Sequence, residues 1–235
     1  MNKIILDYSE YSGITPDLVV NEISNFQNLV KDDLNFFTNR AEFYRKSISY
    51  IYSIFNLEFN LDKQKMINKY ITFSPQMIDI IINSNYKSII DIGSGVGLFP
   101  EVIKELKPSL DVTYCDLYSK TAQFAIWRYN KYKLNINTIL IDSFFNYNEK
   151  YDIVMMDGVI QCLEKSYQEY YLNISSSILN PDGLLSLFVD LSGYNVDYPI
   201  NYNVDINYLH DLLEKLNMIC IYGRNTFSSL WKKII

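Results

Sequence analysis

Histidine is all but absent from this chain. The one residue, His210, lies in INYLHDLLEKL, whose periodicity predicts a helix with the imidazole turned to solvent, so a histidine general base is not expected. Cysteine is equally sparse: Cys115, Cys162 and Cys220 show neither a CxxC nor a metal-type spacing, and scattered thiols in odd number suit a reducing compartment better than a disulfide framework. No apolar run approaches the roughly 20 residues of a membrane span. The opening MNKIILDYSEYSG loses its apolar character at Asp7, too early for a secretory signal, and a soluble cytoplasmic protein is expected. Basic charge is also lacking. The formal net charge of −6 opposes the attraction that dominates binding to a phosphate backbone, which disfavours a nucleic-acid partner.

What is present is ordinary for a globular chain of 235 residues: 49% apolar and 20% charged, with neither repeats nor a low-complexity linker. The unusual count is 21 Tyr, which an AT-rich genome explains without a functional reason; many of the rings are expected to be at least partly exposed. Residues 1–70 read as helical, with apolar positions at mixed three and four spacing in TPDLVVNEISNFQNLVKDDLNFF and AEFYRKSISYIYSIFNLEF. Thr15 and Pro16 open the first of these. Residues 71–235 form the second unit. FSPQMIDIIINS predicts a helix opened by Ser74 and Pro75, and from Ser88 onward short β-rich runs alternate with helical stretches. Strands are expected at 88–92, 111–115, 137–141, 152–156, 184–189, 218–223 and 228–234, and helices at 99–106, 119–132, 166–179 and 206–216. Strands apolar on both sides and alternating with helices imply an α/β, Rossmann-like fold: a seven-stranded, mostly parallel sheet covered on both faces. RNTF is too short for a crossover helix, so the last strand is expected to be antiparallel.

Directly after the first strand stands SIIDIGSGVGLFPEVIKEL, with Gly93, Gly95 and Gly97 at alternate positions. Glycine adopts positive φ and lets a ligand approach the backbone, so a tight ligand-holding turn is expected. A dinucleotide fingerprint would place its third glycine at residue 98, which is Leu98. The pattern Asp91-Ile-Gly93-Ser-Gly95-Val-Gly97 instead resembles the first motif of the class I S-adenosylmethionine-dependent methyltransferases, and the resemblance extends from Ser88 to the C-terminus. It implies S-adenosylmethionine as cofactor, with the turn against its methionine part and Asp91 holding its amino group.

Asp116 follows the second strand, where a carboxylate can accept hydrogen bonds from both ribose hydroxyls, and Leu117 is placed to pack on the adenine. Asp142, with Ser143 beside it, matches the family position that contacts the adenine amino group. Each aspartate alone would read as a helix N-cap; three in order after three successive strands favour the cofactor. YDIVMMDGVIQCLE resembles the family's fourth motif and adds Asp157 to the cofactor set, but Gln161 and Cys162 stand where Glu-His is common.

A hydroxyl or amine acceptor can require a base, and with no histidine at hand the catalytic candidates are Asp157, Asp190, which ends the fifth strand, or a tyrosine. Core packing explains Phe124 and Trp127, and Arg128 is expected to pair with an acid elsewhere. The N-terminal helices read as a cap or lid; DYSEYSG is expected to form a flexible strap, with Tyr8, Tyr11 and Tyr44 as lid residues, so that deleting residues 1–14 would affect turnover far more than stability. The resemblance implies methyl transfer to a small molecule or modified peptide. Two alternatives remain: a silent cofactor-binding partner, and an aminopropyltransferase of the same fold.

Overall fold

The computed structural model describes residues 3–25, 28, 40–46, 51, 75–141, 148–189, 194–195, 198–199 and 204–234. Five strands come first, with a helix described between each pair except β3 and β4: β1 (Ser88–Ile92), β2 (Asp111–Leu117), β3 (Asn137–Ile141), β4 (Tyr151–Asp157) and β5 (Leu179–Phe188). After a two-stranded ribbon, β6 (Tyr194–Asn195) and β7 (Tyr198–Pro199), come β8 (Met218–Tyr222) and β9 (Ser228–Lys233). The helices are α1 (Lys3–Ser12), α2 (Pro16–Ser24), α3 (Arg40–Lys46), α4 (Pro75–Asn83), α5 (Leu98–Leu106), α6 (Lys120–Lys131), α7 (Lys165–Ile178) and α8 (Ile206–Lys215).

The main sheet has the order β3-β2-β1-β4-β5-β9-β8, with β1 to β5 pairing in parallel and β9 antiparallel to both neighbours. Successive side chains of a strand point to opposite faces, and here both faces are apolar. Ile89, Ile153 and Met155 pack with Met77, Ile81, Phe99 and Ile103 of α4 and α5. Ile90, Ile92, Val154 and Met156 pack with Leu172 of α7 and with Leu209 and Leu213 of α8. A fully buried isoleucine contributes roughly 1.5–3 kcal/mol; the double-sided layer is why these strands are continuous apolar runs. The chain steps outward from β1 to β2 and β3, then restarts on the other side at β4. The carboxyl ends of β1 and β4 therefore flank the reversal point where open α/β sheets hold ligands.

Three expectations need correction. The fifth strand, expected at 184–189, starts at Leu179 and carries a bulge, since Tyr151 pairs with Leu179 but Ile153 with Leu184, and Asp182 takes φ 63°. His210 faces inward, with no exposed surface. Its Nδ1 accepts the Asn225 N–H (2.9 Å), its Nε2 lies 3.2 Å from the Ser229 hydroxyl, and its ring meets Trp231 edge-on. The β8–β9 turn folds over that helical position and makes it interior.

DYSEYSG, finally, is no strap but the main part of α1, which Gly13 ends by accepting a left-handed conformation (φ 74°) while its N–H bonds the Ser9 carbonyl. Ile4, Ile5 and Tyr8 are buried against Val19, Ile23, Val96 and Phe124, and the Tyr8 and Phe124 rings meet at 86°. Losing residues 1–14 would strip this packing, so stability depends on α1 directly.

Candidate functional site

The connection from β1 to α5 is a turn in which Gly93, Gly95 and Gly97 all have positive φ. At Gly93 a Cβ would sit 2.2 Å from Val159 Cγ2, and at Gly97 it would sit 2.0 Å from the Tyr129 hydroxyl. Neither position admits a side chain without displacement. Carbonyls of the turn are held from behind: Tyr114 Oη donates to Gly95 O and Tyr129 Oη to Gly97 O, both at 2.8 Å.

Asp116 is not a helix cap. Ser119 caps α6 by accepting the Ala122 N–H at 3.0 Å. The Asp116 carboxylate accepts the Gly95 and Leu117 N–H groups, each at 2.6 Å, and so faces the glycine turn across the carboxyl ends of β1 and β2. One acceptor site per oxygen is thereby used, and further lone pairs remain.

Asp91 is 5% exposed at the end of β1. Burial, reinforced by the nearby Asp157 and Asp116 and opposed by a hydrogen bond from Ser94, pushes its carboxyl up to about 7. Burial likewise raises Asp116 to about 6 against the two backbone donors. Neither acid forms an ion pair among the described residues. Among the described residues, then, these two carboxylates have no cationic partner.

The cleft beside them is lined by Ile92, Gly93, Asp116, Leu117 and Ile141 on one side and by Gly158, Val159, Cys162, Leu163 and Tyr171 on the other, with Tyr44 of α3 contributing to the wall. The structure therefore brings together Asp91, Gly93, Gly95, Gly97, Asp116 and Leu117, and sets Asp157 at the end of β4 next to Gly158. Asp142, Ser143 and Asp190 lie outside the described residues. Tyr8 and Tyr11 are not on the cleft wall; they pack against Phe124, and Tyr11 also against Trp127.

Sequence reasoning missed Val159 and Tyr171. Tyr171 reads as one more apolar position of a helix, and only the fold turns it towards Cys115 and Asp116; burial pushes its phenol well above the ordinary value, which makes it a poor base. A larger open groove of about 580 Å³ lies at the opposite, amino ends of the strands. Its one acid, Asp152, is engaged there by the Lys87 and Ser88 N–H groups and by Asn180.

The architecture and the placement of the glycine turn are those of the class I S-adenosylmethionine-dependent methyltransferase fold. No family model matches the sequence, and no curated protein does. Solved structures match widely. Human N-acetylserotonin methyltransferase, determined with SAM, aligns with a TM-score of 0.60 at 14% identity over 99% of this chain and 70% of its own. An O-methyltransferase family protein from Burkholderia thailandensis aligns at 0.59 with 11% identity, over 91% and 71%. An S-adenosylmethionine-dependent methyltransferase from Clostridium acetobutylicum aligns at 0.58 with 13% identity, over 77% and 97%. At such identities the likeness concerns the fold.

Proposed function

We propose that the chain is an S-adenosylmethionine-dependent methyltransferase acting on a small molecule or modified peptide. The observation that carries this reading is the pair Asp91 and Asp116, set beside a glycine turn and paired with no cation among the described residues, with both carboxyls raised by burial. A nicotinamide dinucleotide would bring a negative pyrophosphate to that turn, against two acids. The amino and sulfonium groups of S-adenosylmethionine bring positive charge instead. The glycines themselves answer to the protein behind them, since Val159 and Tyr129 already fill the space that side chains at Gly93 and Gly97 would take; the cofactor's place is the cleft beside the turn, between Asp116 and Val159.

In this reading Asp91 holds the amino group and Asp116 the ribose hydroxyls, while Leu117 and Ile141 flank the base. Asp142 and Ser143 keep their assignment to the adenine edge by sequence position. When bound, the cofactor supplies an activated methyl group, and transfer is an in-line displacement that needs a positioned nucleophile and exclusion of water. Tyr44, Val159 and Leu163 supply an apolar wall for that exclusion. A carboxylate acceptor needs no base. For a hydroxyl or amine, Asp157 and Asp190 remain the candidates; His210 is excluded, because it is fully buried and both ring nitrogens are engaged. Residues 1–70 serve as a helical cap on the catalytic unit 71–235, with Tyr44 as its contribution to the cleft.

Calorimetry with S-adenosylmethionine and S-adenosylhomocysteine, followed by radiolabelled methyl transfer to a panel of acceptors and a cell extract, tests the proposal. Absence of binding to either ligand refutes it. Binding without transfer to any acceptor would instead favour the silent partner, a reading that Gln161-Cys162 in place of Glu-His keeps in play.

A further inference from the structure

Behind the glycine turn, on the side away from the cleft, lies a buried ionic cluster that the cofactor contacts do not use. Arg128 of α6 is 1% exposed, and its guanidinium reaches three elements at once. Nε donates to Asp7 Oδ2 of α1 at 3.2 Å, Nη2 donates to Glu101 Oε2 of α5, and Nη1 points at the Val96 carbonyl of the turn at 3.4 Å. Asp7, 2% exposed, also accepts from Lys131 Nζ (2.9 Å) and from the Tyr132 hydroxyl. Glu101 accepts from Lys3 of α1 at 3.2 Å. Two carboxylates therefore orient one planar fork, and the third arm of the fork faces the carbonyl between the two that Tyr114 and Tyr129 hold.

We propose that Arg128 is a positioning residue for the glycine turn and that α1, through Asp7, sets its aim, so that the N-terminal helix is part of the cofactor site without touching the cofactor. The carbonyls of residues 95, 96 and 97 all point into the protein at these donors, which fixes the peptide planes and leaves the opposite side of the turn to the ligand. A guanidinium suits this task because its donors diverge in one rigid plane; an ammonium satisfies the acids as a point charge and lacks the directed third arm. Val96 itself packs in the same cluster as Ile4, Ile5, Tyr8 and Phe124, so docking of α1 bears on the turn through both its carbonyl and its side chain. By linkage, a helix that raises cofactor affinity is in turn held more firmly when the cofactor binds.

The ligand side of this inference rests on the proposed function. The turn side does not, and the experiment separates the two. Hydrogen exchange at residues 93–97 and calorimetric affinity for S-adenosylhomocysteine are measured at 15 °C in the full chain and in the Arg128→Lys, Asp7→Asn and Tyr129→Phe variants, with folding checked by circular dichroism. Arg128→Lys keeps a cation between the acids, and Tyr129→Phe removes one carbonyl donor whose hydrogen bond goes to Gly97 and not to α1, so a variant that folds is at hand even if Asp7→Asn does not.

The expected result is faster exchange at the turn in Arg128→Lys, affinity lower by about fivefold or more, and slower exchange in α1 when the ligand is added to the wild type. A merely structural role would lower the melting temperature and leave the affinity of the folded protein unchanged. Folded Arg128→Lys with wild-type exchange at 93–97 overturns the inference. A wild type that binds no S-adenosylhomocysteine overturns the proposed function, and the exchange at the turn then decides the inference alone.

Discussion

Replacing Asp91 by Asn removes a buried charge that no described cation pairs with, and the consequences for stability and binding are opposite in sign. The carboxyl stands at about 7 in the folded protein against an ordinary 3.8. Between those values the folded chain holds a proton that the unfolded chain has lost, so stability declines as pH rises from about 4 to 7 and is fully reduced above that window. At pH 8 the difference costs folding about 4 kcal/mol. Asn carries no charge, but burying its amide offsets part of the gain. The ligand-free variant is expected to be more stable than the wild type by about 2 kcal/mol at pH 8, which for a chain of this length raises the melting temperature by about 4–8 °C.

Near pH 4 the advantage disappears. Affinity for S-adenosylhomocysteine at pH 8 falls by at least tenfold, the value of one charge-assisted hydrogen bond. Thermal and urea unfolding at both pH values, with and without the ligand, read all of these. A variant less stable than wild type at pH 8, a stability difference independent of pH, or undiminished ligand affinity would refute the reasoning.

Asp116→Ala is expected to lose hydrogen bonds to the ribose at roughly 0.5–1.5 kcal/mol each and so to weaken calorimetric affinity about tenfold or more; wild-type affinity would remove Asp116 from the site. Gly93→Ala forces a Cβ to within 2.2 Å of Val159 at φ 77°. Ligand-induced thermal stabilisation should vanish in it, and adding Val159→Ala should restore only part, because the backbone strain remains. Burial lowers His210 from 6.5 to about 4. The unfolded chain therefore takes up a proton first, and stability worth about 3 kcal/mol is lost as pH falls from 6.5 to 4. His210→Gln should flatten that acid limb. The comparison is made in the Asp91→Asn background so that the opposing slope of Asp91 does not mask it, and an unchanged limb would show that the imidazole is not the group responsible.

The strands at β1 and β3 have the bounds that their β-branched runs predict; β1, buried on both faces, advertises itself in composition alone, while β3, at the exposed edge of the sheet, is marked by β-propensity. The glycine turn is legible for a related reason: its backbone conformation restricts the residue type directly. Asp116 is recognisable by its place at the carboxyl end of β2, although the hydrogen bond it accepts from the Gly95 N–H depends on two strands lying side by side. Other features depend on partners far along the chain. Asp7 ends the apolar run that opens the sequence and so looked like the edge of something short and polar. Its partner Arg128 stands 121 positions away, and only their pairing lets a charge occupy the interior. His210 sits beside the Leu209 and Leu213 stripe of α8 and would be solvated in an isolated helix; Asn225 and Ser229 arrive from a hairpin that helical periodicity cannot foresee.

The buried acids at the glycine turn also bear on the lifetime of the polypeptide. A chain whose interior awaits a cationic metabolite opens more often when that metabolite is scarce, and proteases act on the opened form. Cellular abundance of this protein is then expected to rise and fall with supply of its methyl donor, independently of transcription.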